Sequence, residues 1–175
     1  MSIWWSLHLR REAASVPLAR RFLLGAMENA GVDPDVSFDL SVALTEACAN
    51  AVEHGGDHRP QGERSVDHEP WDAGDGLSRT ACGQYRVTAY LDGEKCRIEV
   101  ADSGPGFPAR RTLRTSAHQH EPLPYPSLSA EDGRGLCLIE QLADHVQFGN
   151  RPGRGAVVSF DKVLKWREGA LLMVS

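Results

Sequence analysis

Apolar and polar positions alternate at the start of the chain, with Trp5, Leu7 and Leu9 set against Ser6, His8 and Arg10. That period of two predicts a half-buried strand. The period then lengthens. Ser15 and Pro17 mark a helix start, Ala19, Phe22, Leu23 and Ala26 form one apolar face, and Gly31 ends the run. A second helix is predicted from Asp33-Pro34-Asp35, where early acids suit the positive end of the helix dipole. Its stripe runs through Val36, Leu40, Ala43, Leu44, Ala47 and Ala51 until Gly55-Gly56 stops it.

Residues 56–83 lose all periodicity. They hold five glycines and two prolines but little apolar content beyond Trp71 and Leu77, so they are expected to form a flexible insertion. His58 and His68 lie within it, without the spacing of a metal site. A hairpin follows: Tyr85, Val87, Ala89 and Leu91 alternate on one arm, Asp92-Gly93 turns, and Cys96, Ile98 and Val100 alternate on the other. Residues 107–132, proline-rich and without periodicity, are expected to form a second long loop. Leu136, Ile139, Leu142 and Ala143 then return at helical spacing. Val146 and Phe148 open a strand, Asn150–Gly155 turns, and Val157-Val158-Ser159-Phe160 opens another. The tail through Lys165 and Trp166 has no period to read. This order predicts an α+β fold, a two-layer sandwich with one mixed, mostly antiparallel sheet covered on one face by helices.

Composition narrows the function more than the fold. The 175 residues suit a single domain spanning 1–175. A net charge of −5 gives no reason to expect direct binding to nucleic acid, which calls for clustered Lys and Arg. No apolar run approaches the roughly 18 residues of a membrane span, and no secretory leader is predicted. Cys48, Cys82, Cys96 and Cys137 are scattered without a Cys-x-x-Cys, which points to reduced thiols and a cytoplasmic protein.

Three short motifs carry the candidate chemistry. Glu46 and Asn50 are four residues apart, so they share a face of the second helix beside its apolar stripe. An Asn oxygen is a hard neutral ligand suited to Mg²⁺, and a neighbouring Glu can accept a proton from a nucleophile attacking a γ-phosphate. Taken alone, the pair fits a solvated helix face better than a site. Asp102 ends a strand and leads into Ser103-Gly104-Pro105-Gly106. Its carboxylate can accept a hydrogen bond from the exocyclic amine of a base, with Gly104 and Gly106 allowing close approach; a plain polar turn is the alternative. Gly133 and Gly135 are placed just before a helix, where free backbone N–H groups can hold phosphate. Arg134 between them adds a charge contact or faces solvent.

In this order the motifs resemble the GHKL-type ATP-binding superfamily, within which the chain looks most like the stand-alone anti-sigma factor serine/threonine protein kinases. The resemblance covers the first strand to about residue 161, interrupted by the 56–83 insertion. The stretch Leu44–Gly55 resembles the family's N box, Asp102–Gly106 its first glycine box, Gly133–Gly135 its second, and 107–132 its ATP lid. The helix-one run Leu18-Ala19-Arg20-Arg21-Phe22-Leu23 is similar too.

The resemblance implies an ATP- and Mg-dependent kinase that phosphorylates an anti-anti-sigma protein, sequesters a sigma factor, or does both. A non-catalytic nucleotide-binding switch is the alternative. It implies Asn50 on Mg²⁺, Glu46 activating the substrate serine, and Asp102 on the adenine amine. Gly104 and Gly106 would shape the base pocket, while Gly133, Gly135 and Leu136 would hold phosphate. Arg20 sits where the family has a partner-contacting arginine, and homodimers are common among its members. Two departures stand out. Ala156 occupies a position where the family often has Thr, and Glu131-Asp132 replaces a lid arginine, although Arg110, Arg111 and Arg114 lie earlier in the lid.

Overall fold

The computed structural model describes residues 2–55, 83–102, 130–151 and 155–170. The insertion, except Gly83, and the lid, except 130–132, lie outside the described residues, together with Gly104, Gly106, Cys82, His58 and His68.

The elements follow the order strand, helix, helix, hairpin, helix, hairpin. They are β1 (Ile3–Arg10), α1 (Ser15–Ala30), α2 (Pro34–His54), β2 (Gln84–Leu91), β3 (Lys95–Asp102), α3 (Ala130–Leu142), β4 (His145–Arg151) and β5 (Gly155–Val163). The strands form one five-stranded sheet in the order β1-β2-β3-β5-β4. Every described pair is antiparallel. The expected α+β sandwich, with helices on one face of the sheet, is therefore the observed fold.

Register turns the period of two into continuous rows. Trp5, Ala89, Ile98, Phe160 and Val146 line up across all five strands, as do Leu7, Val87, Val100, Val158 and Phe148. These inward rows meet the helices. Val36, Leu40, Ala43, Leu44, Ala47 and Ala51 of α2 are all buried, as the stripe predicts. The face of α1 differs slightly from the expectation: Ala19, Leu23, Met27 and Ala30 are buried, while Phe22 is exposed and meets the Trp5 ring edge-on, with centroids 4.9 Å apart. Spacings of four and three put those buried positions on one line, and Phe22 falls beside it.

Local chemistry explains the boundaries. Gly31 caps α1 in the left-handed conformation at φ 84, with Gly31 N–H donating to Glu28 O and Val32 N–H to Met27 O. That is the Schellman pattern. Asp33 caps α2 by accepting from Asp35 N–H at 2.9 Å, and Pro34 follows it. In the β2–β3 turn Gly93 does not take a positive φ. The Asp92 carboxylate holds the turn instead, accepting from the N–H groups of Glu94 and Lys95 at 2.8 Å each.

Candidate functional site

The three motifs come together along α2. Glu46 and Asn50 stand one above the other on its C-terminal half, both half-buried. The buried side chains of Ala43, Leu44, Ala47, Cys48 and Ala51 anchor the helix around them. α3 packs against α2 so closely that a Cβ added at Gly135 would lie 2.7 Å from Glu46 Oε2. At the end of the same helix, a Cβ added at Gly55 would lie 3.0 Å from the Asp102 Cβ and would run into the Ala51 carbonyl. Gly135 thus seats α3 on Glu46, and Gly55 lets the last turn of α2 close over the end of β3. Asn50 lies between these two approaches in the sequence of the helix.

Asp102 is an unusual member of an inward row. Leu9, Tyr85 and Asp102 are in register, so a carboxylate occupies a position the pleat directs toward the core. It is 9% exposed. Burying it requires partners, and one oxygen accepts from the Ala156 N–H at 3.1 Å. The position where the family often has Thr therefore supplies a backbone donor here.

A second polar group braces the site from below. The Ser15 hydroxyl and Tyr85 OH are 2.7 Å apart, and the same Ser15 donates to Glu12 O. Burial pushes the Cys48 thiol up to about 12, against a smaller opposing effect of its hydrogen bond with Tyr85. Tyr85 is raised as well, first by burial and then by the neighbouring thiol. Both groups stay protonated and neutral under the sheet. Arg11 Nε donates to the Val52 carbonyl at 3.0 Å, which places a cation at the negative end of α2.

Not every expected residue takes the expected place. α3 begins at Ala130, so Gly133 lies among its first four N–H groups while Gly135 and Leu136 lie beyond them. The sequence placed both glycines ahead of the helix; acidic residue types at 131 and 132 suit a first turn and extend the helix upstream. Leu136 is buried in the core, one residue after the glycine that meets Glu46. Arg20 sits half-buried on α1, and α2 lies between that helix and α3. Sequence reasoning read Gly55 only as a helix stop, because its approach to Asp102 joins residues far apart in the chain. An open groove of about 440 Å³, lined by Arg97, Glu99, Gln147 and Ser159 among others, touches none of the motif residues.

A helix bearing a Glu-Asn pair, a buried aspartate at a strand end and a glycine-seated third helix thus belong to one α+β domain. The chain belongs to the Histidine kinase-like ATPase domain family, which it matches over residues 9–162. Among curated relatives it is 29% identical over 138 residues to the serine-protein kinase RsbW of Oceanobacillus iheyensis, covering 79% of this chain and 73% of that protein. It is 28% identical to RsbW of Bacillus subtilis, with 79% and 72% covered, and 23% identical to the anti-sigma F factor of Thermoanaerobacter pseudethanolicus, with 77% of each. Among solved structures, the RsbU and RsbW domains of a Mycobacterium tuberculosis protein share the fold at a TM-score of 0.53 and 17% identity. That match covers 92% of this chain and 33% of the longer one.

Proposed function

We propose that this protein is an ATP- and Mg-dependent anti-sigma factor serine kinase, which phosphorylates a small anti-anti-sigma protein and binds a sigma factor as the alternative partner. One observation carries the reading: Gly135 against Glu46 and Gly55 against Asp102 gather the three motifs on one helix. The family match and the names of the relatives support it.

In this reading Asp102 accepts a hydrogen bond from the adenine amine. The Ala156 N–H orients the carboxylate for that task. Glu46 accepts the proton of the substrate serine. Asn50 offers its amide oxygen to Mg²⁺, and Gly133 offers a first-turn N–H to phosphate. Gly104 and Gly106 shape the base pocket, and Leu136 holds the second glycine box onto the core. The donor chemistry fits such an ion: Asn50 carries a hard, neutral amide oxygen and stands half-buried on α2 beside the Glu46 carboxylate. Mg²⁺ leaning on phosphate and water oxygens needs few protein ligands. When bound, Mg-ATP supplies the phosphoryl group and neutralises its charge. Arg20, on α1, is proposed to touch a protein partner. A homodimer in the cytoplasm is the proposed working form; among the described residues no helix is long and apolar enough to cross a membrane.

The test combines labelled ATP with candidate partner proteins, beginning with any anti-anti-sigma reading frame encoded beside this one. Glu46→Ala is expected to keep Mg-ATP binding and lose transfer by roughly 10²–10⁴-fold. Asn50→Ala is expected to lose the Mg-dependent part of binding. Full transfer by Glu46→Ala would remove the general-base role. Nucleotide binding that tunes partner affinity without any phosphoserine would favour the non-catalytic switch, the reading that Ala156 and Glu131-Asp132 motivate.

A further inference from the structure

We infer that Gly135 is a positioning residue for Glu46: the hydrogen where a side chain would stand is what allows the Glu46 carboxylate to rest against α3. A Cβ at this position would lie 2.7 Å from Oε2, 3.8 Å from Cδ and 3.9 Å from Cβ of Glu46. The first distance is far below any carbon–oxygen contact, so something must give. The carboxylate is the far end of a flexible side chain, whereas both helix backbones are pinned. α2 is held by Ala43, Leu44 and Ala47, and α3 by Leu136 and Ile139, all buried. A methyl group at 135 therefore moves the carboxylate and leaves the helices in place.

The location of the glycine strengthens the inference. Gly135 is inside α3, past the four N–H groups a helix leaves free, so its own N–H is committed to the helix. Its conformation is not the reason for it either, since it is absent from the positive-φ glycines. A glycine in a helix interior costs about 0.5–1 kcal/mol relative to Ala. The close approach to Glu46 is the gain that offsets this cost. The inference rests on the kinase reading for its consequence in catalysis, but its structural half stands apart from it.

Four variants and two readouts test it. Gly135→Ala is expected to fold with an unchanged or higher melting temperature, to hold ATP with a KM within about threefold, and to lose kcat by about ten- to a hundredfold. Glu46→Asp withdraws the carboxylate by one methylene and should be impaired by itself. In the Gly135→Ala background it should instead recover part of the lost kcat, because the shorter side chain clears the new methyl. A structural or phosphate-binding role for Gly135 would not produce that recovery; losses that simply multiply would overturn the proposal. The second readout needs no partner protein. The side-chain carboxyl ¹³C resonance of Glu46, followed without nucleotide at neutral pH, should shift in Gly135→Ala and remain in place in Gly25→Ala, where a Cβ meets nothing within 4 Å. An unmoved Glu46 resonance in Gly135→Ala overturns the positioning role whatever the enzyme does. A moved resonance in a protein that phosphorylates no partner preserves the spacer and discards the kinase.

Discussion

Asp102, Tyr85 and Cys48 show how one buried position changes the chemistry of a residue type. All three sit where the sheet and α2 exclude water, yet they meet this in different ways. The carboxylate is held by a backbone N–H, and the thiol and phenol keep their protons. For Cys48 the sign is definite. Its folded value, about 12, lies above the ordinary 9.0, so the neutral thiol stabilises the fold below pH 9 and that contribution is lost as pH rises toward 12. Cys96 is raised by burial in the same direction. Native-state alkylation at pH 8 should therefore label the half-buried Cys137 well before Cys48 or Cys96, as read by peptide mass mapping. Equal labelling of Cys48 and Cys137 would show that α2 does not shield its thiol. The sequence marks Cys48 and Cys137 as neighbours of motif positions. It does not distinguish them, because burial depends on what packs above.

At the scale of elements, the same residue type has opposite effects in one helix and its cap. Gly25 lies inside α1 with open space around a would-be Cβ, so Gly25→Ala should stabilise by up to about 1 kcal/mol through helix propensity. Gly31 ends that helix at positive φ, and a Cβ there would lie 2.6 Å from the Cβ of Ala170. Gly31→Ala should destabilise by about 2 kcal/mol, from left-handed strain together with the clash. Urea unfolding of the two variants checks both signs, and a shift in the same direction for both would contradict the packing. Helices α1 and α2 were legible from periodicity and caps. The start of α3 was not, since its first turn has no apolar stripe, and Gly133 and Gly135 lie inside the helix they were expected to precede.

For the whole molecule, a nucleotide that binds only the folded state must raise stability by mass action. Mg-ATP at a hundred times its dissociation constant is expected to add about 2.7 kcal/mol to unfolding, seen as a higher melting temperature. Asp102→Asn, which removes the charge that would draw the adenine amine, should cut that gain by weakening binding tenfold or more, the scale of one charge-assisted hydrogen bond. No shift at any Mg-ATP concentration would remove the kinase and the switch together.

The sequence by itself determined the element order, the inward rows of the sheet, the stripe of α2 and the presence of the three motifs. Each is written in a local period or a short spacing, and local sterics read such patterns directly. Tertiary structure alone decided which residues meet. It brought Gly135 to Glu46, Gly55 to Asp102 and the Ala156 N–H to a carboxylate 54 positions away. It also placed the tail, where Trp166 pairs with Val32 and donates to the Gly93 carbonyl at 3.0 Å. Those contacts join segments remote in the chain, and their distances follow from how the described helices share one sheet face rather than from any local preference.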